Sequence, residues 1–317
     1  MLFRSGNLDF VGGNWGRNTR NESFLSHPIA LYHFDFDSDG IQELVEAHFD
    51  TPQRKWVPDR QLEILSRHLS FLRGRFSSNR AYSIASIEEV LAPHGKSAQA
   101  LRANWFDSAV FLNRTNHFEV RPLPYLAQVA PVFGLVASDL NGDGNIDLFL
   151  AQNYFQNQPE LPRYDAGCGQ LLQGDGRGHF DPVPGHVSGI EIYGEQRAAA
   201  ACDYDHDGRM DLAIAQNAGP TVLLHNERSR PSMRVRLLHS KEDPRPVVGA
   251  QVRWLNASTP SPVQELQVGS GYWSQSSSTL LVASQPQPAK LWVRWPGGRT
   301  NVLDVASALP ELFVYQH

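Results

Sequence analysis

Apolar runs of about four to eight residues alternate along this chain with turns rich in Asp, Asn and Gly, a rhythm that predicts strands rather than long helices. Residues 29–34 and 44–45 flank one such turn. Residues 148–152 and 212–216 follow two more, and both end at Gln-Asn (Gln152-Asn153 and Gln216-Asn217). The second half of the unit also recurs. Residues 170–180 read as a hairpin about an Asp-Gly turn, 109–118 have the same form, and 221–226 begin a third. The separation of Asp139 from Asp203 is near the size of one four-stranded propeller blade.

Helical periodicity is confined to residues 52–104. Leu62, Leu65, Leu69 and Leu72 share one face over 60–72, and 86–91 and 97–101 predict shorter helices with Ser86 and Ser97 as caps. This stretch reads as an insertion, either a surface for a partner or a cover for a strand edge. Beyond a linker at 228–232, alternation in 233–238, 250–254 and 289–295 predicts sheets with one wet face. The expected architecture is therefore all-β. A partial β-propeller of about three to four blades occupies 1–228, interrupted by the insertion, and a small β-sandwich-like domain occupies 233–317.

Three turns repeat one polar pattern. Asp35, Asp37, Asp39 and Glu43 stand at positions one, three, five and nine of the first, with Gly40 at six. Asp139, Asn141, Asp143 and Asp147 do so around Gly144, and Asp203, Asp205, Asp207 and Asp211 around Gly208. Alternate oxygens of a tight loop converge on one point, and a hard cation such as Ca2+ takes six to eight of them. Glycine at six permits the backbone curl that a Cβ would resist. Position seven (Ile41, Asn145, Arg209) is expected to add a backbone carbonyl, leaving its side chain free to vary. An isolated Asp-Gly turn would account for one copy. Three copies with the same oxygens, and the mutual repulsion of their carboxylates, point to a bound cation. His206, at an outward-facing even position, is expected to be solvated.

Residues 35–46 also satisfy the EF-hand spacing, with Glu46 at position twelve. Leu150 and Ile214 occupy the equivalent places in the other loops and carry no oxygen, and the flanks read as strands, so that motif is excluded. Gly174-x-Gly176-x-Gly178 lacks the strand–loop–helix setting of a phosphate loop and reads as a hairpin turn.

With 317 residues and a net charge of -5, the composition is that of a globular chain, with nothing that suggests nucleic acid. There is no apolar run of transmembrane length. The first residues are too short and polar for a signal peptide. Cys168 and Cys202 allow either one disulfide or two buried thiols. Phe10 to Asn14 read like a strand tail, and aligning Asn14 with Asn153 and Asn217 puts the matching loop ahead of Met1. The chain is thus expected to begin inside a repeat: upstream blades of the same polypeptide are missing, or its first strand completes a blade elsewhere. Tyr154, Phe155, Arg163 and Tyr164 lie in the stretch after the second loop's strand. They read either as a contact for a sugar or peptide or as packing for a long loop.

The acidic loops and their strand tails resemble the FG-GAP or VCBS repeats of the integrin α-chain type. The tail resembles the ASPIC/UnbV domain through Val248-Gly249-Ala250, residues 269–276 and Val293-Arg294-Trp295-Pro296-Gly297-Gly298. Leu280-Leu281-Val282-Ala283 stands where that family usually has Phe-Gly-Leu-Gly. The resemblance implies a propeller of about seven blades with Ca2+ between strands. It also implies an extracellular, periplasmic or cell-surface setting. The leading expectation is a calcium-binding, non-catalytic scaffold for an unidentified protein or glycan ligand. The alternative is a carbohydrate-active enzyme of the polysaccharide lyase or glycosidase type, or its accessory module. That reading needs paired carboxylates outside the loops, and the obvious ones are already committed.

Overall fold

The computed structural model describes residues 8–20, 26–36, 38–92, 98–156, 161–255, 261–269, 271–283, 289–305 and 309–316. They form an all-β chain of several separate sheets, none closed into a barrel. Two compact units emerge, one from residues 1–18 with 107–317 and the other from 19–106.

In chain order, β1 (Phe10–Gly12) belongs to the larger unit. The smaller unit follows with β2 (Ile29–Phe34), β3 (Glu43–Asp50), β4 (Lys55–Pro58), α1 (Leu62–His68), α2 (Asn79–Ser83), α3 (Ile87–Leu91) and β5 (Gln99–Ala103). Its antiparallel sheet runs β4-β3-β2-β5. Ala30, Tyr32, Val45 and Ala47 on one face pack against Leu65, Leu69, Leu72, Ile87, Val90 and Leu91, so the helices cover a face of the sheet, while β4 and β5 of the same 52–104 stretch line the outer edges of β3 and β2.

Two helical expectations give way here. The 60–72 helix stops at His68 because Leu69 leaves helical dihedrals (φ -102, ψ 85), and a 3-10 turn continues over Ser70–Leu72. Leu69 and Leu72 still reach the core across the break, each 1% exposed. Residues 97–101 contain good helix formers, yet 99–103 are a strand paired along β2. An open sheet edge supplies ladder hydrogen bonds that outweigh a weak local propensity.

The larger unit continues with β6 (Ala109–Asn113), β7 (Phe118–Pro122), β8 (Val132–Ser138), β9 (Asp147–Gln152), β10 (Gln170–Gly174) and β11 (Phe180–Val183). After α4 (Gly185–Ser188) come β12 (Glu195–Cys202), β13 (Asp211–Asn217) and β14 (Val222–Leu224). Three antiparallel sheets result: β1-β6-β7, β8 to β11 in meander order, and β12-β13-β14. Successive sheets stack face to face, as propeller blades do. Val110 and Leu112 of the first pack with Leu148, Leu150 and Leu172 of the second. Val136 and Phe149 of the second pack with Ala199, Leu212 and Ile214 of the third. Glycine makes the closest approach possible, since a Cβ on Gly134 would lie 2.8 Å from Ala199 N. The first strand, β1, joins β6.

The tail comprises β15 (Ser232–Leu238), β16 (Gln251–Leu255), β17 (Gln264–Glu265), β18 (Leu280–Ala283), β19 (Ala289–Arg294), β20 (Thr300–Val305) and β21 (Glu311–Tyr315). One sheet runs β18-β15-β21, with β15 and β21 parallel, and the other β17-β16-β19-β20. Val235, Leu237, Val282 and Val314 of the first share a core with Val252, Trp254, Leu291 and Val293 of the second. Trp254, 1% exposed, is bonded through Nε1 to Ala283 O at 2.7 Å. Two sheets facing across one apolar layer make a sandwich. Both cysteines are free thiols, and among the described residues no helix is long and apolar enough to cross a membrane.

Candidate metal-binding loops

The three acidic turns share one backbone. Position four is left-handed in each (Ser38 φ 64, Gly142 φ 75, His206 φ 68), as is position six (Gly40 φ 89, Gly144 φ 89, Gly208 φ 81). The carboxylates then organise the amides around them. At position five, Asp39, Asp143 and Asp207 accept the amide two residues on, from Ile41 (2.8 Å), Asn145 (2.7 Å) and Arg209 (2.8 Å). At position one, Asp35 accepts from Asp39 and Gly40, Asp139 from Gly142, Asp143 and Gly144, and Asp203 from Gly208. Asp37 lies outside the described residues.

Position nine closes the loop. Glu43, Asp147 and Asp211 each accept the position-two amide, from Phe36 (2.8 Å), Leu140 (3.0 Å) and Tyr204 (3.2 Å). The second oxygen of Asp147 takes Gly174 N at 2.9 Å, and that of Asp211 takes Asn226 N at 2.8 Å. Asp147 thus ties its loop to the end of β10, the next strand of its sheet, and Asp211 to the residues just beyond β14.

Sequence reasoning missed a third such residue. Asp9 Oδ1 accepts Asn113 N at 2.8 Å, and Asp9 is 1% exposed. The registers agree: Phe10 pairs with Phe111, Leu148 with Leu172 and Leu212 with Leu224, and each carboxylate one residue earlier reaches the amide two places beyond its partner. Asp9 therefore matches Asp147 and Asp211, one residue out from the alignment through Asn14. The signal was present in Gly6-Asn7-Leu8-Asp9, which parallels Gly144-Asn145-Ile146-Asp147. Met1, Phe3 and Ser5 fall at positions one, three and five, so the copy has lost its carboxylates there.

The loops differ in how their charge is met. Asp35, Asp39 and Glu43 each place an oxygen within 4.8 Å of the others, and Asp203, Asp205 and Asp211 do the same. In the third loop Arg209 pairs with Asp207, and His225 Nε2 lies 3.0 Å from Asp205 and 3.7 Å from Asp207. Arg209 at position seven thus has a task that the sequence did not show. Burial works against the charge on Asp207, but hydrogen bonding to Arg209 holds its carboxyl below the ordinary value. Among the described residues no ion pair reaches Asp139, Asp143 or Asp147. Burial, assisted by the neighbouring carboxylates, pushes Asp139 up to about 6 and Asp147 up to about 7. In the third loop Asp203 Oδ1 is buried without a hydrogen-bond partner on a side chain that is 2% exposed. A bare buried carboxylate oxygen is costly, and the same carboxylate lies beside those of Asp205 and Asp211. The residues fit a hard divalent cation: all-oxygen loops, alternate spacing and an orphaned acceptor.

Tyr154 and Tyr164 exchange backbone hydrogen bonds of 2.9 and 3.0 Å. Trp15 meets both edge-on at 5.3 and 5.7 Å, and Arg163 stacks on Phe155 at 5.2 Å. The cluster extends beyond the sequence expectation: Arg197, paired with Glu195, lies over Phe133 at 3.9 Å and over Tyr154 at 5.1 Å.

Stacked antiparallel sheets with acidic loops at equivalent bends define a β-repeat protein, here followed by a β-sandwich module. Residues 139–214 match the FG-GAP-like repeat, a span that holds both the second and the third loop, and residues 240–312 match the ASPIC and UnbV domain. The chain thus carries an FG-GAP-like repeat followed by an ASPIC/UnbV domain. No curated protein matches it.

Proposed function

We propose that the chain is a calcium-stabilised, non-catalytic scaffold of the cell exterior or envelope that presents its β surfaces to a protein or glycan. The observation that carries this reading is the buried Asp203, whose Oδ1 has no partner and whose carboxylate places an oxygen within 4.8 Å of Asp205 and Asp211, together with the uncompensated carboxylates of the second loop. Asp35, Asp39 and Glu43 would hold one ion. Asp139, Asn141, Asp143 and Asp147 would hold another, and Asp203, Asp205, Asp207 and Asp211 a third. Asp37 is assigned with the first by sequence, and the carbonyls of Ile41, Asn145 and Arg209 are assigned with their loops by position. The cation would neutralise the carboxylates and so fix the two strands that each loop joins.

The test is calorimetric titration of metal-stripped protein with CaCl2, alongside thermal unfolding with and without chelator. Binding at about 10⁻⁴–10⁻³ M is expected, as in extracellular modules. Calcium at about a hundred times Kd should add about 2.7 kcal/mol of stability. Superimposable melting curves would remove the cation's structural role. Glycan-array binding and pull-down then separate the two ligand classes.

A further inference from the structure

The second and third loops also carry the tail. Arg230 N donates to Asn141 O at 3.2 Å and Ser232 N to Gly208 O at 2.7 Å, so the chain enters β15 across both loops. The glycines are tight against it: a Cβ on Gly142 would lie 2.4 Å from Arg230 O, and one on Gly208 would lie 2.7 Å from Ser232 O. Leu281 of β18 is buried with Leu140 and Met210, which occupy positions two and eight of the two loops. Ser277 N donates to Ala201 O at 2.9 Å, one residue before the strand that leads into the third loop ends. Arg234 of β15, 9% exposed, approaches Asp203 Oδ2 at 3.4 Å and Glu311 Oε1 at 3.6 Å. Three atoms of this triad, Asp203 Oδ1, Arg234 Nε and Glu311 Oε1, are buried without hydrogen-bond partners.

We infer that the second and third loops form a cation-dependent seat for the ASPIC/UnbV domain, so that divalent ion binding and tail docking are one linked equilibrium. The inference rests on the calcium reading above and deepens it. The atoms that receive the tail, Asn141 O, Gly208 O and the open faces of Gly142 and Gly208, belong to the arcs that the carboxylates shape. Without a cation, like charges in such an arc repel, and the left-handed backbone that presents these atoms loses its support. With one, Asp203 Oδ1 gains its missing partner while Oδ2 stays facing Arg234. Linkage requires the effect to run both ways, so a seated tail also tightens the ion.

Hydrogen exchange on the full chain, stripped of metal and then titrated with CaCl2, tests this. Peptides over 229–236 and 276–283 should lose about tenfold or more in protection without calcium. Those over β16 and β19, which pair with each other inside the tail, should hold theirs. The midpoint for the linker peptide should coincide with that for peptides over 139–147 and 203–211. Arg234→Met leaves every proposed ligand in place. It should release the linker peptide at calcium concentrations that still protect it in the parent, and shift the calcium midpoint of the third loop. Loops that gain protection with calcium while 229–236 and 276–283 do not respond would overturn the linkage and leave the calcium reading standing. Loops indifferent to calcium would overturn both.

Discussion

Gly174 donates its amide to Asp147 Oδ1 at 2.9 Å, while Oδ2 of the same carboxylate holds Leu140 N at 3.0 Å. One side chain thus fastens the loop that precedes its strand and the hairpin that follows it. Asp147 is 1% exposed, so truncation strands three amides: those of Leu140 and Gly174, where water has little access, and the half-buried one of Asn141 at 3.2 Å. Each unsatisfied buried group costs about 1–3 kcal/mol. Asp147→Ala should therefore lower unfolding free energy by about 2–4 kcal/mol in urea titrations, even in chelator. A loss seen only in calcium would mean that the residue serves the ion alone.

The second loop also sets a pH dependence. Burial raises Asp139 to about 6 and Asp147 to about 7, against about 3.9 in an unfolded chain. Between these values the native state holds more protons than the unfolded state. The contribution is therefore fully present below about pH 4 and lost as pH rises through about 7. Metal-free protein should lose stability from these groups over that window. Calcium, which favours the charged forms, should flatten or reverse the slope. Urea midpoints at several pH values, with metal removed and restored, decide it; parallel slopes in the two conditions would refute the assignment.

What the sequence made legible was local. Asp, Asn and Gly at fixed spacing dictate the loop conformation within nine residues, so Asp139 to Asp147 and Asp203 to Asp211 could be read directly. Asp9 escaped because the loop ahead of it has lost its carboxylates, leaving only the short Gly6-Asn7-Leu8-Asp9 likeness, which the register with β6 makes plain. Arg234 escaped because its link to Asp203 is tertiary. Arg209 was expected only to lend a carbonyl, and pattern alone cannot show a side chain folding back onto Asp207. The strand at 99–103 was hidden by helix-forming residues on a sheet edge, where pairing outweighs propensity.

The two cysteines should behave as hindered thiols. Burial first, and then the carboxylates of Glu191 for Cys168 and of Asp211 and Asp203 for Cys202, raise both above the ordinary thiol value. The thiolate is the reactive form. Both should react slowly with a disulfide reagent at pH 8 and rapidly once the chain is denatured. Two fast equivalents in the native protein would contradict the packing.

Acid should destabilise the unit of residues 19–106 through Asp59. Burial opposes its charge, but the hydrogen bond to His48 Nδ1 at 2.8 Å and the charge of Arg20 prevail, so its carboxyl stays below the ordinary value. A depressed native value stabilises the fold above the unfolded pKa of about 4 and is lost as pH falls below that through the native one. Asp59→Asn removes the titrating group. The variant should be less stable at pH 7 and show a shallower acid limb below pH 4, read from the fluorescence of Trp56, which lies in the β4 strand of this unit. An unchanged acid limb would place the sensitivity elsewhere. The buried hydroxyl of Tyr82, which donates to Arg60 O at 2.7 Å beside the turn that carries Asp59, would remain in place in either case. It serves as an internal check that the variant has kept its fold.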